Sequence, residues 1–156
     1  MRIIVDDLTG CDVQALLARH AQGMLENSPE GACHFLDLSG LQSPDVTVWS
    51  IWEGPSLAGC GALREIDPHH GEVKSMRTHD DHLGKGVGRT LLTHIIDTAR
   101  TRGYKRVSLE TGSTPAFAAA IRLYETSGFV SCGPFAVYPD SDFSRFFTLE
   151  LASEHE

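Results

Sequence analysis

Hydrophobic positions along the chain switch repeatedly between a strand period and a helical period, and the switches mark its elements. Ile3, Ile4 and Val5 form a first apolar run that reads as a strand. Val13, Leu16, Leu17 and Met24 then recur at helical spacing, with Asp12 as the expected N-cap and Asn27 to Gly31 as the stop. A short second helix is expected near His34 to Leu38. Val46 to Trp52 is rich in β-branched and aromatic residues, and Gly54-Pro55 turns the chain back into a strand over Leu57 to Ile66. Asp67 to Gly71 supplies a second turn, after which Glu72 to Thr78 completes a three-strand meander.

Val87, Leu91, Leu92, Ile95, Ile96 and Ala99 describe one face of a helix that Gly103 ends. Arg106 to Glu110 reads as the next strand. Thr114 as cap and Pro115 as first residue open another helix, with Ala119, Ala120 and Leu123 facing inward and Gly128 at its end. Phe129 to Tyr138 and Ser144 to Leu151 are expected to close as a hairpin. The order β-α-α-β-β-β-α-β-α-β-β predicts an α/β (α+β mixed) fold, a mixed sheet with helices on its faces. With 156 residues and neither repeat nor Pro/Ser-rich linker, one domain over residues 1–156 is expected.

Composition narrows the chemistry. No apolar run approaches the roughly 20 residues of a membrane span, and Met1 to Asp7 lacks the apolar core of a secretory signal. A soluble, cytoplasmic protein with no membrane partner is the expectation. Cys11, Cys33, Cys60 and Cys132 form no C-x-x-C pair and read as free thiols, mostly buried. The formal net charge of -8 argues against a nucleic-acid partner and mildly favours a cationic one. Yet Lys74, Arg77, Lys85, Arg89, Arg100, Arg102, Lys105 and Arg106 gather in one stretch.

Within that stretch Gly84, Gly86 and Gly88 stand directly before an apolar-periodic helix. Bare amides at the positive end of a helix dipole suit a phosphate, and glycine both tolerates positive φ and lets an anion come close. A Walker A loop is excluded, because Lys85 is followed by Gly86 rather than Ser or Thr. A dinucleotide fingerprint needs G-x-G-x-x-G after the first strand of a βαβ unit, whereas here G-x-G-x-G follows a meander. A tight turn without a ligand is the remaining alternative. His79-Asp80-Asp81-His82 contains metal-ligating residue types, but a solvated loop accounts for it, and no metal is expected. His69-His70 reads as an ordinary turn in the same way.

Three segments carry a resemblance: Glu72 to Thr78, Gly84-Lys85-Gly86-Val87-Gly88-Arg89-Thr90-Leu91-Leu92, and Leu123-Tyr124-Glu125-Thr126-Ser127-Gly128-Phe129. Together they resemble the GNAT superfamily of acetyl-CoA-dependent N-acetyltransferases, over nearly the whole chain. Two departures from the family pattern are Leu83, in place of Arg or Gln, and Phe117, where many members have Asn. The resemblance implies a central, mostly antiparallel sheet of about seven strands, splayed between strands four and five. The pantetheine arm of acetyl-CoA would pair there with Met76 and Thr78, and the diphosphate would rest on the backbone of Lys85 to Arg89. The implied cofactor residues are thus Met76, Arg77, Thr78, Leu83, Gly84, Lys85, Gly86, Val87, Gly88, Arg89 and Phe117.

Acyl transfer to an amine needs a neutral nucleophile, an oxyanion donor and a proton for the departing thiolate. The resemblance implies Glu72 as base, often through water, against the alternative of a solvent-facing strand carboxylate. It implies the Met76 N–H as oxyanion donor and Tyr124 as general acid toward sulfur, against the alternative of core packing. No cysteine is placed as nucleophile, Cys132 being nearest, so direct transfer in a ternary complex is expected. The acceptor is expected to be a primary amine: a polyamine, an aminoglycoside-like compound, an amino acid, a lysine and an N-terminus all suit an acidic cleft. Pro134 to Tyr138 and Asp140 to Phe146 are candidate walls for its pocket. A homodimer is compatible with the family. The rival reading is a non-catalytic acyl-CoA-binding or protein-interaction module of the same fold.

Overall fold

Four strands pair antiparallel in succession: β1 (Arg2–Val5), β2 (Val46–Glu53), β3 (Ser56–Asp67) and β4 (His70–Thr78). The computed structural model describes residues 1–28, 38–136, 138–139 and 141–151. Three further strands, β5 (Arg106–Gly112), β6 (Val130–Cys132) and β7 (Ser144–Glu150), complete a sheet in the order β1-β2-β3-β4-β5-β7-β6. β5 runs parallel to β4, and the other neighbours are antiparallel. Helices α1 (Cys11–Asn27), α2 (Leu38–Leu41), α3 (Val87–Thr101) and α4 (Ala118–Thr126) flank it. Among the described residues no helix is long and apolar enough to cross a membrane.

Side chains alternate across a pleated strand, so the sheet carries two cores. On one face Leu8, with Val13 and Leu16 of α1, packs against Val48, Leu57 and Cys60. On the other, Leu91, Leu92 and Ile95 of α3 meet Ile51, Leu63, Val107 and Phe147. All six apolar positions read from the sequence on α3 are buried.

Several boundaries differ from the sequence pattern for local reasons. Gly10, not Asp12, occupies the N-cap of α1, and Asp12 sits in the first turn where its charge still complements the dipole. Ser28 leaves the helix for an extended conformation, as a residue before proline must. The second helix expected near His34 to Leu38 lies, except for Leu38, outside the described residues. Thr114 stands at the cap position but makes no side-chain cap, and a 3₁₀ turn (Pro115–Phe117) precedes α4. Ala119, expected inward, is exposed in a groove wall, while Tyr124 is buried. β6 stops at Cys132 instead of reaching Tyr138, because Gly133 and Pro134 follow and proline has no N–H for the ladder. The closing hairpin is present, with β7 lying between β5 and β6.

Two features position the site. β4 and β5 pair at His70↔Arg106, Gly71↔Val107 and Glu72↔Ser108, and then part. Just past that point β4 bulges: Ser75 has φ +56°, and the register with β3 shifts between Cys60 and Ala62. Gly61 faces the bulge, and a Cβ there would lie 2.6 Å from Met76 Sδ.

Candidate active site

Gly84 and Gly86 adopt φ of +77° and +78°, a backbone region that L side chains rarely occupy. Gly86 caps α3, and Thr90 N–H donates to its carbonyl at 3.0 Å. The amides of Val87, Gly88 and Arg89 therefore precede the first intrahelical bond of that turn and have no partner within the helix. A Cβ on Gly88 would sit 3.2 Å from Leu123 Cδ2, so the first turn of α3 abuts α4. Lys85 Nζ stands 3.5 Å from Glu53 Oε2 and 3.4 Å from His82 Nδ1. Arg89 Nη2 donates to Thr126 Oγ1 at 2.7 Å. Leu83 is exposed. His82, expected in a solvated loop, is buried with Nε2 2.8 Å from Ser56 Oγ.

Beyond Glu72 the parting of β4 and β5 opens a cavity of about 180 Å³, walled by His20, Glu72, Lys74, Glu110, Phe117 and Tyr124 among others. A second groove continues it along Thr78, Leu83, Gly88 and Leu123. Met76, Arg77, Ala116, Ala120 and Tyr124 line both. The structure thus gathers Glu72, Met76, Arg77, Phe117 and Tyr124 at one cavity and places Thr78, Leu83 and Gly88 along its continuation. Lys85, Gly86, Val87 and Arg89 lie at the start of α3.

Glu72 is not a solvent-facing carboxylate. Its side chain is 1% exposed, with Oε1 2.9 Å from Arg64 Nη2 and Oε2 3.3 Å from Lys74 Nζ. Arg64 is its cross-strand register partner, and Lys74 follows two residues on along the same strand face. Lys74 Nζ is also 2.6 Å from the Tyr138 hydroxyl. Burial pulls the Lys74 pKa down, and the Glu72 carboxylate opposes that shift. Tyr124 is buried, edge-on to Phe129 at 5.9 Å, and burial pushes its phenol up to about 12. It therefore keeps its proton at neutral pH. Phe117 stacks edge-on against Phe143 at 5.6 Å above Gly112, where a Cβ would meet the Phe117 ring at 2.5 Å.

Sequence reasoning missed His20 on α1. Its Nδ1 is buried and has no hydrogen-bond partner among the described residues, and burial, then the charges of Arg77 and Lys74, lower its pKa to about 4. A lone histidine at a helical position carries no signal of this kind. Lys74 was legible only as one of a basic stretch, although Glu72 and Lys74 at strand spacing mark opposite charges on one face. Of the aromatic segment near the C-terminus, Phe135 packs against Phe146 at 5.7 Å and His70 at 5.8 Å, while Val137 and Asp140 lie outside the described residues. His70, read as a turn residue, is buried in β4 with Nε2 2.7 Å from Ser108 Oγ. Cys11 is exposed, against expectation, and Cys60 is buried, its thiol pushed up to about 12. Cys132 borders a separate depression with His70 and Ser108, away from the cavity; Cys33 lies outside the described residues.

A parted β4/β5 pair beside a glycine-rich helix start is the arrangement that the resemblance to acetyltransferases implied. The chain belongs to the Acetyltransferase (GNAT) family, whose model matches residues 15–129. Relatives include an uncharacterized N-acetyltransferase, YsnE, of Bacillus subtilis (strain 168), 51% identical over 97% of this chain and 100% of that one. A second, YedL of Escherichia coli (strain K12), also described as an uncharacterized N-acetyltransferase, is 48% identical over 99% of this chain and 97% of its own length. A solved structure from Klebsiella pneumoniae is similar with a TM-score of 0.81 at 29% identity, covering 97% of each chain. The protein is an acetyltransferase.

Proposed function

We propose that this enzyme moves an acetyl group from acetyl-CoA to a primary amine of a small molecule, directly, within a ternary complex. The observation that carries the reading is the separation of β4 from β5 beyond Glu72, with Tyr124 at the junction of the two cavities it opens. In this reading the pantetheine amides add as a strand along Met76 and Thr78. The diphosphate sits on the amides of residues 85 to 89, with Lys85 and Arg89 offsetting its charge. A protein of the same fold from Elizabethkingia anophelis, with a TM-score of 0.68 at 16% identity over 96% of this chain and 97% of that one, holds acetyl-CoA, which supports the donor.

The chemistry closes in one addition and one collapse. The neutral amine attacks the thioester carbonyl carbon, a C–N bond forms, and the Met76 N–H stabilises the oxyanion. Collapse breaks the C–S bond, and Tyr124 passes its phenolic proton to the thiolate. The proton lost by the amine passes through water toward Glu72 and from there to solvent, and the Tyr124 phenolate takes one back from solvent, so the enzyme returns to its starting state. The products are an amide and free coenzyme A.

The test is thiol release from acetyl-CoA across a panel of amines, run beside calorimetric titration with acetyl-CoA alone. Tyr124→Phe is expected to lower kcat by roughly a hundredfold, within the usual range for general acid catalysis, with acetyl-CoA affinity unchanged. Unchanged turnover removes Tyr124 from the mechanism. Tight acetyl-CoA binding without release for any amine replaces the enzyme by the rival binding module.

A further inference from the structure

On the sheet face toward α1, two arginines meet beside the cavity. Gly23, buried in the middle of α1, leaves a notch: a Cβ there would lie 3.2 Å from Arg77 Nη1 and 3.4 Å from Arg19 Nη1. Two guanidinium groups thus converge on one helix position. The carboxylate they share is Asp80, which is 60% exposed, with Oδ2 3.7 Å from Arg19 Nε and Oδ1 3.9 Å from Arg77 Nη2. Neither distance is a hydrogen bond. Among the described residues these are the polar contacts of both guanidinium groups. Glycine in a helix interior is costly relative to alanine, and here the vacancy is filled by a cation.

We infer that the Arg77 guanidinium, with Arg19 behind it at the Gly23 notch, binds a carboxylate of the acceptor, so that the acceptor is an α-amino acid and not a polyamine. The inference rests on the proposed acetyl transfer and names its substrate class. Three observations bear on it. Arg77 lines both the cavity and its continuation, at the level of Met76 where the acetyl group is proposed to lie. In an α-amino acid the nitrogen is two bonds from the carboxylate carbon, so a carboxylate paired with Arg77 sets the amine beside the thioester. Planar guanidinium is the side chain suited to bidentate carboxylate pairing.

The second observation is the local field. His20, on the same wall of the cavity, is held neutral by its burial and then by Arg77 and Lys74. The same cations favour the neutral form of an amine, which is the form that attacks. The third is placement relative to the cofactor. Arg19, on α1, lines neither the cavity nor the groove that runs along Thr78 and Gly88, and the glycine loop caps α3, whose core lies on the opposite face of the sheet, so a phosphate there does not account for Arg19.

The test compares each of a set of L-α-amino acids with its decarboxylated amine as acceptor, by coenzyme A release from the full chain. The wild type is expected to favour the carboxylated partner by at least tenfold in kcat/KM. Arg77→Gln is expected to erase that preference chiefly through the KM of the amino acid. Gly23→Ala closes the notch in a helix that alanine favours, so loss of the preference without loss of melting temperature supports the site and excludes misfolding as the cause. Equal or better use of the decarboxylated amines by the wild type overturns the inference while leaving acetyl transfer standing. A preference that survives both substitutions, or an Arg77→Gln defect confined to acetyl-CoA affinity, overturns it too. Acetyl-CoA binding with no release on either set overturns the inference and the proposed reaction together.

Discussion

Glu72 combines two demands that pull apart. As a proposed base it must exchange protons with water, yet its carboxylate lies between Arg64 and Lys74 with almost no exposure. Removing one partner of a buried ionic cluster leaves the others uncompensated, at a cost of about 3 kcal/mol or more. Glu72→Gln is therefore expected to shift urea unfolding by that amount, and a loss of kcat with unchanged stability would separate catalysis from structure. His20 makes a pH-dependent contribution of opposite origin. Its pKa is about 4 in the folded chain against 6.5 for an unperturbed histidine. Between those values the unfolded chain binds a proton that the fold refuses, so stability falls as pH drops through that window. The full contribution is present above pH 6.5, and the slope reaches at most about 1.4 kcal/mol per pH unit. Unfolding curves of the wild type and His20→Gln between pH 7 and pH 4 should diverge at the acid end, with the variant less acid-sensitive; parallel curves would remove His20 from this role.

At the scale of elements, the glycine loop and α3 form the most self-contained unit. Gly86 at φ +78° begins the helix, and a Cβ there is strained even though nothing crowds it. Gly86→Ala is expected to cost about 1 kcal/mol in stability and to weaken acetyl-CoA binding at least tenfold by calorimetry, since the first-turn amides move with the cap. Retained affinity would detach the loop from the diphosphate. This unit was legible because everything that specifies it is local: three glycines, a 3.6-residue apolar period and a terminal Gly103. The same holds for the β2-β3-β4 meander and for Tyr124 in its Leu-Tyr-x-x-x-Gly-Phe context. The ionic cluster at Glu72 was not legible, because Arg64 reaches it through a cross-strand register that an irregularity between Glu65 and Asp67 displaces from the hairpin turn. The convergence of Arg19 and Arg77 on Gly23 was likewise not legible, being made by the docking of α1 on β4, a contact between distant stretches of chain. His70 and His82 read as turn and loop residues because burial of a polar side chain leaves no periodic trace.

On the scale of the whole molecule, the site is the seam between an antiparallel half, β1 to β4, and a second half, β5 with β7 and β6, joined by one short parallel pairing. A parallel pair cannot be closed by a hairpin, so α3 forms the crossover and its N-terminus arrives next to the open end of the seam. Fold and proposed cofactor cradle are thereby one feature. An antiparallel strand turns alternate amides to each side, and among the described residues no strand pairs with β4 on the side away from β3 beyond Glu72. If acetyl-CoA enters as an added strand, the β4 amides on that side acquire partners, whereas those of β1 at the far edge do not. Hydrogen exchange followed by mass spectrometry should then show peptides spanning 73–78 slowing at least tenfold on saturation with acetyl-CoA, with 85–90 slowing in parallel and 2–5 unchanged. Protection of 85–90 alone would keep the phosphate cradle and discard strand addition. Uniform slowing across the sheet would mean that the ligand stabilises the fold globally, and that the seam is not where it binds.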